Sequence, residues 1–176
     1  PEEKTLEEMH GMIACSEWTG VPLSLLLNEA GVKSGAKYLL SEGAEATKLG
    51  ASMPIGKAMA DVLVAYGQNG EALRPHNGFP LRLVVPGFQG KYHVKWLRRI
   101  KVVDRPYITY WERRSFSTRA GSRRTGPDTM ANSHEAGGGS FLLEQGPKSV
   151  ITFPSGEQRL PGQGYYTIIG LAWSGS

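Results

Sequence analysis

The stretch HNGFPLRLVVPGFQGKYHVKWLRRIKVVD, residues 76–104, constrains the fold most. It holds two apolar β-type runs, LRLVV (81–85) and VKWLRRIKVV (94–103), joined by a glycine-bearing connection. They read as two strands of a buried sheet. Each run carries a cation among its apolar residues, Arg82 in the first and Lys95 in the second. Stripping water from an unpaired ion costs several kcal/mol even after relaxation, so something anionic is expected to meet them. Without such an anion the two side chains would point outward from alternating strands.

Shorter signals surround these runs. VPLSLLLNEAGV (21–32) places Leu23, Leu26 and Leu27 at i, i+3, i+4 spacing and Gly31 behind them, which predicts an amphipathic helix with a glycine stop. KYLLSEGAEA (37–46) reads as a short buried strand running into a loop. GASMPIGKAMA (50–60) suits a loop and short strand better than a long helix. DVLVAYGQNGEAL (61–73) alternates and carries Asn69-Gly70, a strong two-residue hairpin signal. Short strands, one or two helices and many glycine-rich connections make the class α+β.

The net charge of +4 conceals an asymmetry: Lys and Arg against Asp and Glu stand at 7 to 10 in residues 1–90, 11 to 2 in 91–124 and 2 to 4 thereafter. A local basic patch attracts nucleic acid, an anionic substrate or an acidic protein, but no nucleic-acid reading motif accompanies it. The surface around Lys91, Arg98, Arg99 and Lys101 is expected to steer an anionic partner. The single Cys15 excludes an intramolecular disulfide and a cysteine metal cage, and suits a buried small hydrophobe. No apolar run is long enough to span a membrane as a helix.

Composition changes near residue 105. TRAGSRRTGPDTMANSHEAGGGS (118–140) is polar and lacks apolar periodicity, as a linker or disordered loop does. β-rich runs resume at SVITF and YYTIIGLAW within 148–176, separated by Pro/Gly turns as in the first strands of a β-sandwich. The expected organisation is a domain over 1–106, a partly disordered linker over 107–147, and the start of a second domain over 148–176.

In chain order, HGMIACSEWTGVPLSLLLNEAGV, GASMPIGKAM, NGFPLRLVVPG, VKWLRRI and KSVITFPSG…LPGQGYY…GLAWSG resemble the sulfite oxidase family of molybdopterin enzymes. Within it they are most like the SoxC-type molybdenum subunits of the sulfane dehydrogenases that serve thiosulfate oxidation. The resemblance covers 10–105 and 148–176. It implies a molybdopterin-binding α+β domain followed by an immunoglobulin-like dimerisation domain, a molybdenum-molybdopterin cofactor, and a homodimer or higher assembly. A fragment truncated at both ends is expected, inactive alone, with the cysteine ligand of the metal upstream of Pro1, because Cys15 lies too close to Trp18 to match it.

The resemblance also implies site residues. Arg82 and Lys95 match the family's positions that hold the cofactor, whose tail is a phosphate; a guanidinium fork and an ammonium suit its oxygens. Glu45 falls where the family places an Asp that accepts from the pterin's amino and ring N–H groups, a role any carboxylate can fill. Asn77 stands where sulfite oxidases carry a His, with His76 displaced by one residue. His93 and Val94 neighbour Lys95 and are expected to offer backbone groups. Ser52 suits a turn cap better than a cofactor contact. The run WERRSF ends in Phe116 where sulfite oxidases have an active-site Tyr, so either Tyr107 or Tyr110 substitutes, the substrate is not sulfite, or this region has diverged. No catalytic residue is assigned.

The implied function is periplasmic oxidation of sulfane sulfur held on a carrier protein, with water as oxygen source and a c-type cytochrome as electron acceptor. A sulfite dehydrogenase is the alternative within the family. A non-catalytic basic module for nucleic acid or acidic protein is the alternative outside it.

Overall fold

The computed structural model describes residues 14–46, 50–109, 117–118, 129–130, 140–154 and 158–175. They fall into two compact units, Glu17–Gln145 and a second built on Gly146–Gly175.

The larger unit begins with strand β1 (Trp18–Pro22) and helix α1 (Leu23–Ala30). Gly31 ends the helix in the left-handed conformation, its N–H bonded to Leu27 and Asn28 carbonyls, as its sequence signal predicts. The buried stripe is narrower than the spacing suggested: Leu23 and Leu27 enter the core, whereas Leu26 stays 46% exposed. An eight-residue helix lying on the core through an i, i+4 pair leaves its i+3 neighbour on the flank.

Strands β2 (Tyr38–Gly43) and β3 (Gly50–Pro54) pair antiparallel, and helix α2 (Ile55–Ala60) follows. The 50–60 segment is therefore a strand and a six-residue helix. Strand β4 (Leu63–Gln68) turns through Asn69 and Gly70, at φ 52° and 78°, into β5 (Glu71–Ala72). Two successive positive φ values are what the Asn-Gly pair favours in a tight hairpin. Strand β6 (Arg82–Val84) and strand β7 (Leu97–Val103) complete this unit's two main sheets.

The sequence expectation for these last two strands needs correction. β6 pairs with β4, in a sheet where β4 also holds β1 and β5, while β7 pairs with β2 in the order β3-β2-β7. The two apolar runs thus belong to different sheets. Residues 94–96 precede β7 rather than forming part of it, and the stretch 94–97 meets residues 81–83 through two backbone bonds, Leu83 N–H to Val94 O at 2.9 Å and Leu97 N–H to Leu81 O at 2.8 Å. A short 3-10 turn, Gly90–Tyr92, supplies Tyr92 to the core between them.

The core unites both sheets and both helices: Leu23 and Leu27, Leu39, Met53, Ala58, Val62, Val64, Leu83, Val85, Phe88, Tyr92 and Val94. Each fully buried leucine contributes about 1.5–3 kcal/mol relative to exposure. Gly20 is required where β1 bulges against β4, since a Cβ there would collide with the Val64 carbonyl.

Within the stretch expected as a linker, Leu143 joins the core, and Gln89 N–H to Leu143 O and Gln145 N–H to Gly87 O tie 143–145 to the 87–89 loop. Strands β8 (Ser117–Thr118), β9 (Thr129–Met130) and β10 (Ser140–Leu142) pair in the order β8-β10-β9. The remainder of 118–140, with Tyr110 and Phe116, lies outside the described residues.

In the second unit, β11 (Lys148–Phe153) pairs antiparallel with β12 (Ile169–Trp173). Ile151, Phe153, Ile169 and Leu171 on this pair are all exposed. Cys15 is exposed too, contrary to the buried position its chemistry suggested. Burial of a lone small residue depends on which segments pack over it, which a single position in a sequence does not carry.

Candidate functional site

A 3-10 turn at Pro75–Asn77, closed by Gly78 at φ 109°, is the centre of the site. Three successive carbonyls of this turn each accept a hydrogen bond from a side chain that comes from elsewhere in the chain. Trp96 Nε1 donates to Pro75 O at 2.8 Å, Lys95 Nζ to His76 O at 2.8 Å and Arg82 Nη1 to Asn77 O at 3.0 Å. Arg82 and Lys95 thus converge on neighbouring oxygens, one from β6 and the other from the irregular segment before β7. Gly78 is what lets them approach: a Cβ there would sit 3.0 Å from that of Lys95 and 3.2 Å from that of Arg82. Its φ also lies where L side chains are rarely found.

Arg82 is held further by Trp18, whose ring lies 4.6 Å from the guanidinium carbon, a cation–π distance. Burial lowers the pKa of Arg82 from its ordinary value, and the group nonetheless stays protonated. Its Nε atom is buried, with no hydrogen-bond partner among the described residues. A desolvated cation with an orphaned N–H is matched by an anion rather than by neutral carbonyls alone.

The loop bearing Glu45 lies alongside. Ala44 N–H donates to Trp96 O at 2.9 Å, and the Glu45 carboxylate packs over the Cα of Gly43, leaving no room for a side chain there. Asn77 Nδ2 donates to Gln68 Oε1 at 2.6 Å, anchoring the turn to the end of β4. Glu45, Asn77, Arg82 and Lys95 are therefore brought together around residues 95–96.

His93 and Val94 are placed differently. Val94 is fully buried, its N–H donates to Tyr92 O, and its carbonyl accepts from Leu83 N–H, so its backbone serves the fold. His93 N–H donates to Gly90 O, and its ring faces inward between Val85 N–H, on Nδ1, and Phe88 O, at Nε2, both at 3.4 Å. Burial pushes the His93 pKa below its ordinary value, with the Arg82 and Lys57 cations adding to the shift and the Phe88 carbonyl opposing it.

Ser52 is not the turn cap its residue type suggested: it lies within β3 and ties that strand to the segment after β7. Its hydroxyl donates to Tyr107 O at 2.9 Å and accepts from Tyr107 N–H at 3.0 Å, while the Tyr107 side chain remains exposed. Sequence reasoning missed the roles of Trp18, Trp96 and Gly78. All three lie inside quoted motifs, but their partners are 64, 21 and 17 positions away along the chain.

A sequence profile described as the oxidoreductase molybdopterin binding domain matches residues 2–111. The chain belongs to the sulfite oxidase family of molybdopterin oxidoreductases. It is 34% identical to human mitochondrial sulfite oxidase over 99% of this chain and 32% of that protein, and 35% identical to the NADH nitrate reductase of Cichorium intybus over 93% and 20%. Among solved structures, the sulfane dehydrogenase SoxCD from Paracoccus pantotrophus superposes with a TM-score of 0.71 at 42% identity, covering 91% of this chain and 38% of that one. The chain spans about a third of the length of human sulfite oxidase.

Members of the sulfite oxidase family are enzymes whose cofactor is molybdopterin with molybdenum. The donor set fits that group: two cations side by side, one with an orphaned buried N–H, and a carboxylate in the adjoining loop. Family membership sets aside the non-catalytic basic module. Within the basic segment Lys91 is only 8% exposed, and Arg98 and Arg99 both pair with Glu42 while staying half-exposed. Of the basic surface expected here, Lys91 is buried, whereas Arg98, Arg99 and Lys101 are exposed. No group of three or more His, Cys, Asp or Glu residues that could hold a metal occurs among the described residues, and no described helix is long and apolar enough to cross a membrane.

Proposed function

We propose that this chain is part of a periplasmic molybdenum oxidoreductase that oxidises sulfane sulfur carried as a thiol adduct on a carrier protein and passes electrons to a c-type cytochrome. The observation that carries this reading is the likeness to SoxCD at 42% identity over 91% of the chain. Phe116 at the end of WERRSF supports it, because Phe cannot supply the hydrogen bond or proton relay of the Tyr expected in a sulfite oxidase.

When bound, the molybdenum cofactor supplies two-electron redox chemistry at sulfur. The chain's own residues bind and orient it. Arg82 and Lys95 would exchange or share their carbonyl acceptors for phosphate oxygens, forming charge-assisted bonds about twice as strong as neutral ones. The Arg82 Nε would gain the partner it lacks. Glu45 would accept from the pterin's N–H groups, and Asn77 would bring its amide to the same turn. Cys15 is not the metal ligand in this reading, so Cys15→Ala should leave molybdenum loading intact.

The β11–β12 pair would begin an immunoglobulin-like dimerisation domain over 148–176, following a cofactor domain over 1–106 and a connecting segment over 107–147. Two strands do not make a stable sheet, and their exposed apolar residues call for further strands or a second copy.

The test is turnover by the full-length protein, measured as cytochrome c reduction. A carrier-bound sulfane adduct is expected to be oxidised in preference to sulfite. A sulfite dehydrogenase is the second reading, favoured by 34% identity to human sulfite oxidase across 99% of the chain. Rapid sulfite turnover with none on the sulfane adduct would establish that reading instead.

A further inference from the structure

We infer that Trp96 is a positioning residue that holds the two sides of the cofactor site in register, the Glu45 loop on one side and the Arg82/Lys95 cations with the 75–78 turn on the other. The inference rests on the reading of this cluster as the molybdopterin site.

Three features of Trp96 carry it. The first is its backbone. Trp96 adopts φ 49°, a left-handed conformation that bulky L residues rarely take and that no glycine relieves here. In a regular strand, residues 95 and 96 would project to opposite faces. With the chain on either side tied to the Arg82 segment, through Leu83 N–H to Val94 O and Leu97 N–H to Leu81 O, the left-handed residue makes an outward loop of Lys95 and Trp96. Adjacent side chains then reach the same turn, Lys95 at His76 O and Trp96 at Pro75 O.

The second feature is the indole. Its N–H is spent on the carbonyl of an exposed residue, Pro75, and its ring lies outside the buried core cluster. A tryptophan serving only stability would bury its large apolar surface. This one holds a turn instead, and that turn carries Asn77 and the carbonyls on which Lys95 and Arg82 rest. Lys95 Nζ also lies 5.7 Å from the indole centroid, within cation–π range.

The third feature is the carbonyl. Trp96 O accepts from Ala44 N–H, the residue before Glu45, and Gly43 is pressed close enough to Lys95 O that an added Cβ would lie 2.9 Å from it. One residue thus fixes the acceptor loop through its backbone and the cationic turn through its side chain. A ligand with an N–H-bearing ring at one end and a phosphate at the other needs that separation held constant, because misplacing either end loses the bonds made there.

The experiment uses the full-length holoenzyme. Trp96→Phe keeps an aromatic ring and removes the donor; Arg82→Met and Lys95→Met remove the cations. Molybdopterin release is followed by pterin fluorescence after oxidation, and melting temperatures are measured with and without cofactor. Trp96→Phe is expected to speed release about three- to tenfold, as loss of one hydrogen bond does. It should also shrink the difference between holo and apo melting temperatures. A purely structural role would lower both temperatures together and leave their difference unchanged, which would overturn the inference. Release within twofold of wild type, while the Arg82 and Lys95 variants lose cofactor, would also overturn it and leave the site reading standing. If those two variants hold cofactor as wild type does, the site reading itself fails and takes the inference with it. Should Trp96→Phe not fold, Trp96→Tyr is read by the same two measurements.

Discussion

The cations of the β2–β7 ladder and those of the 75–78 turn come from the same stretch of sequence, yet the fold treats them in opposite ways. Arg98 and Arg99 share the carboxylate of Glu42, which stands opposite Arg99 in the strand register and is only 14% exposed at its side chain. That carboxylate inside the chain answers part of their charge. Arg82 and Lys95 rest on neutral carbonyls and an aromatic face, with one N–H of Arg82 orphaned. Charge balanced at home marks scaffold; charge left over marks the place for an anionic ligand.

The sharpest way to break this contrast is Arg82→Met. It should weaken cofactor affinity about 10–100-fold, the equivalent of one or two charge-assisted bonds, while the apo protein melts at or above the wild-type temperature because a desolvated guanidinium has gone. Equilibrium cofactor binding and thermal melts of the apo form check the two halves separately. A large fall in apo stability with unchanged affinity would make Arg82 scaffold after all.

Glu42→Gln should show the reverse pattern. Two half-exposed arginines would face each other without their carboxylate, costing about 1 kcal/mol of stability, with cofactor affinity unchanged. Chemical denaturation with a matched binding measurement tests it.

His93 sharpens the comparison from beside the site, where its half-buried ring lies between Val85 N–H and Phe88 O and feels the Arg82 and Lys57 cations. Its pKa in the folded chain lies below the ordinary 6.5, so the unfolded chain binds the proton more readily. Stability from this group is complete above pH 6.5 and is lost as pH falls through the depressed folded value. The slope of unfolding free energy against pH below 6.5 should therefore be positive and should flatten in His93→Gln. An unchanged slope in the variant would assign the dependence to other groups.

The smallest effect is expected at the exposed arms of the ladder. Replacing Arg98 alone by Gln should cost under about 0.5 kcal/mol, since Arg99 still holds Glu42 and exposed pairs contribute little. The salt dependence of kcat/KM should match wild type if these arginines are scaffold; curves that diverge at low salt and converge at high salt would restore a steering role to them.

Much of the local structure was legible in advance because it is written in short-range patterns. The α1 stop at Gly31, the hairpin at Asn69-Gly70 and the strands β2, β11 and β12 each follow from periodicity or from the φ that a turn demands. The anomaly of Arg82 and Lys95 was legible too, since a charge within an apolar run is visible without coordinates. Leu26 was misjudged because helical spacing gives a face but not its width. The pairing of Arg98 and Arg99 was not legible because Glu42, which holds both, lies more than fifty residues upstream.

By itself, then, the sequence determined the inventory: which segments are strand or helix, where they stop, and which side chains carry charge that must be answered. Only the tertiary structure decided the pairings. It sent β6 and β7 to different sheets, gave Arg98 and Arg99 a carboxylate while giving Arg82 none among the described residues, and set Trp96 between the Glu45 loop and the 75–78 turn. The reason is physical. Backbone preference and amphipathic period act over a few residues, whereas the partner of a buried strand edge, a cation or an indole N–H is chosen by the packing of the whole core, among all the segments able to reach it.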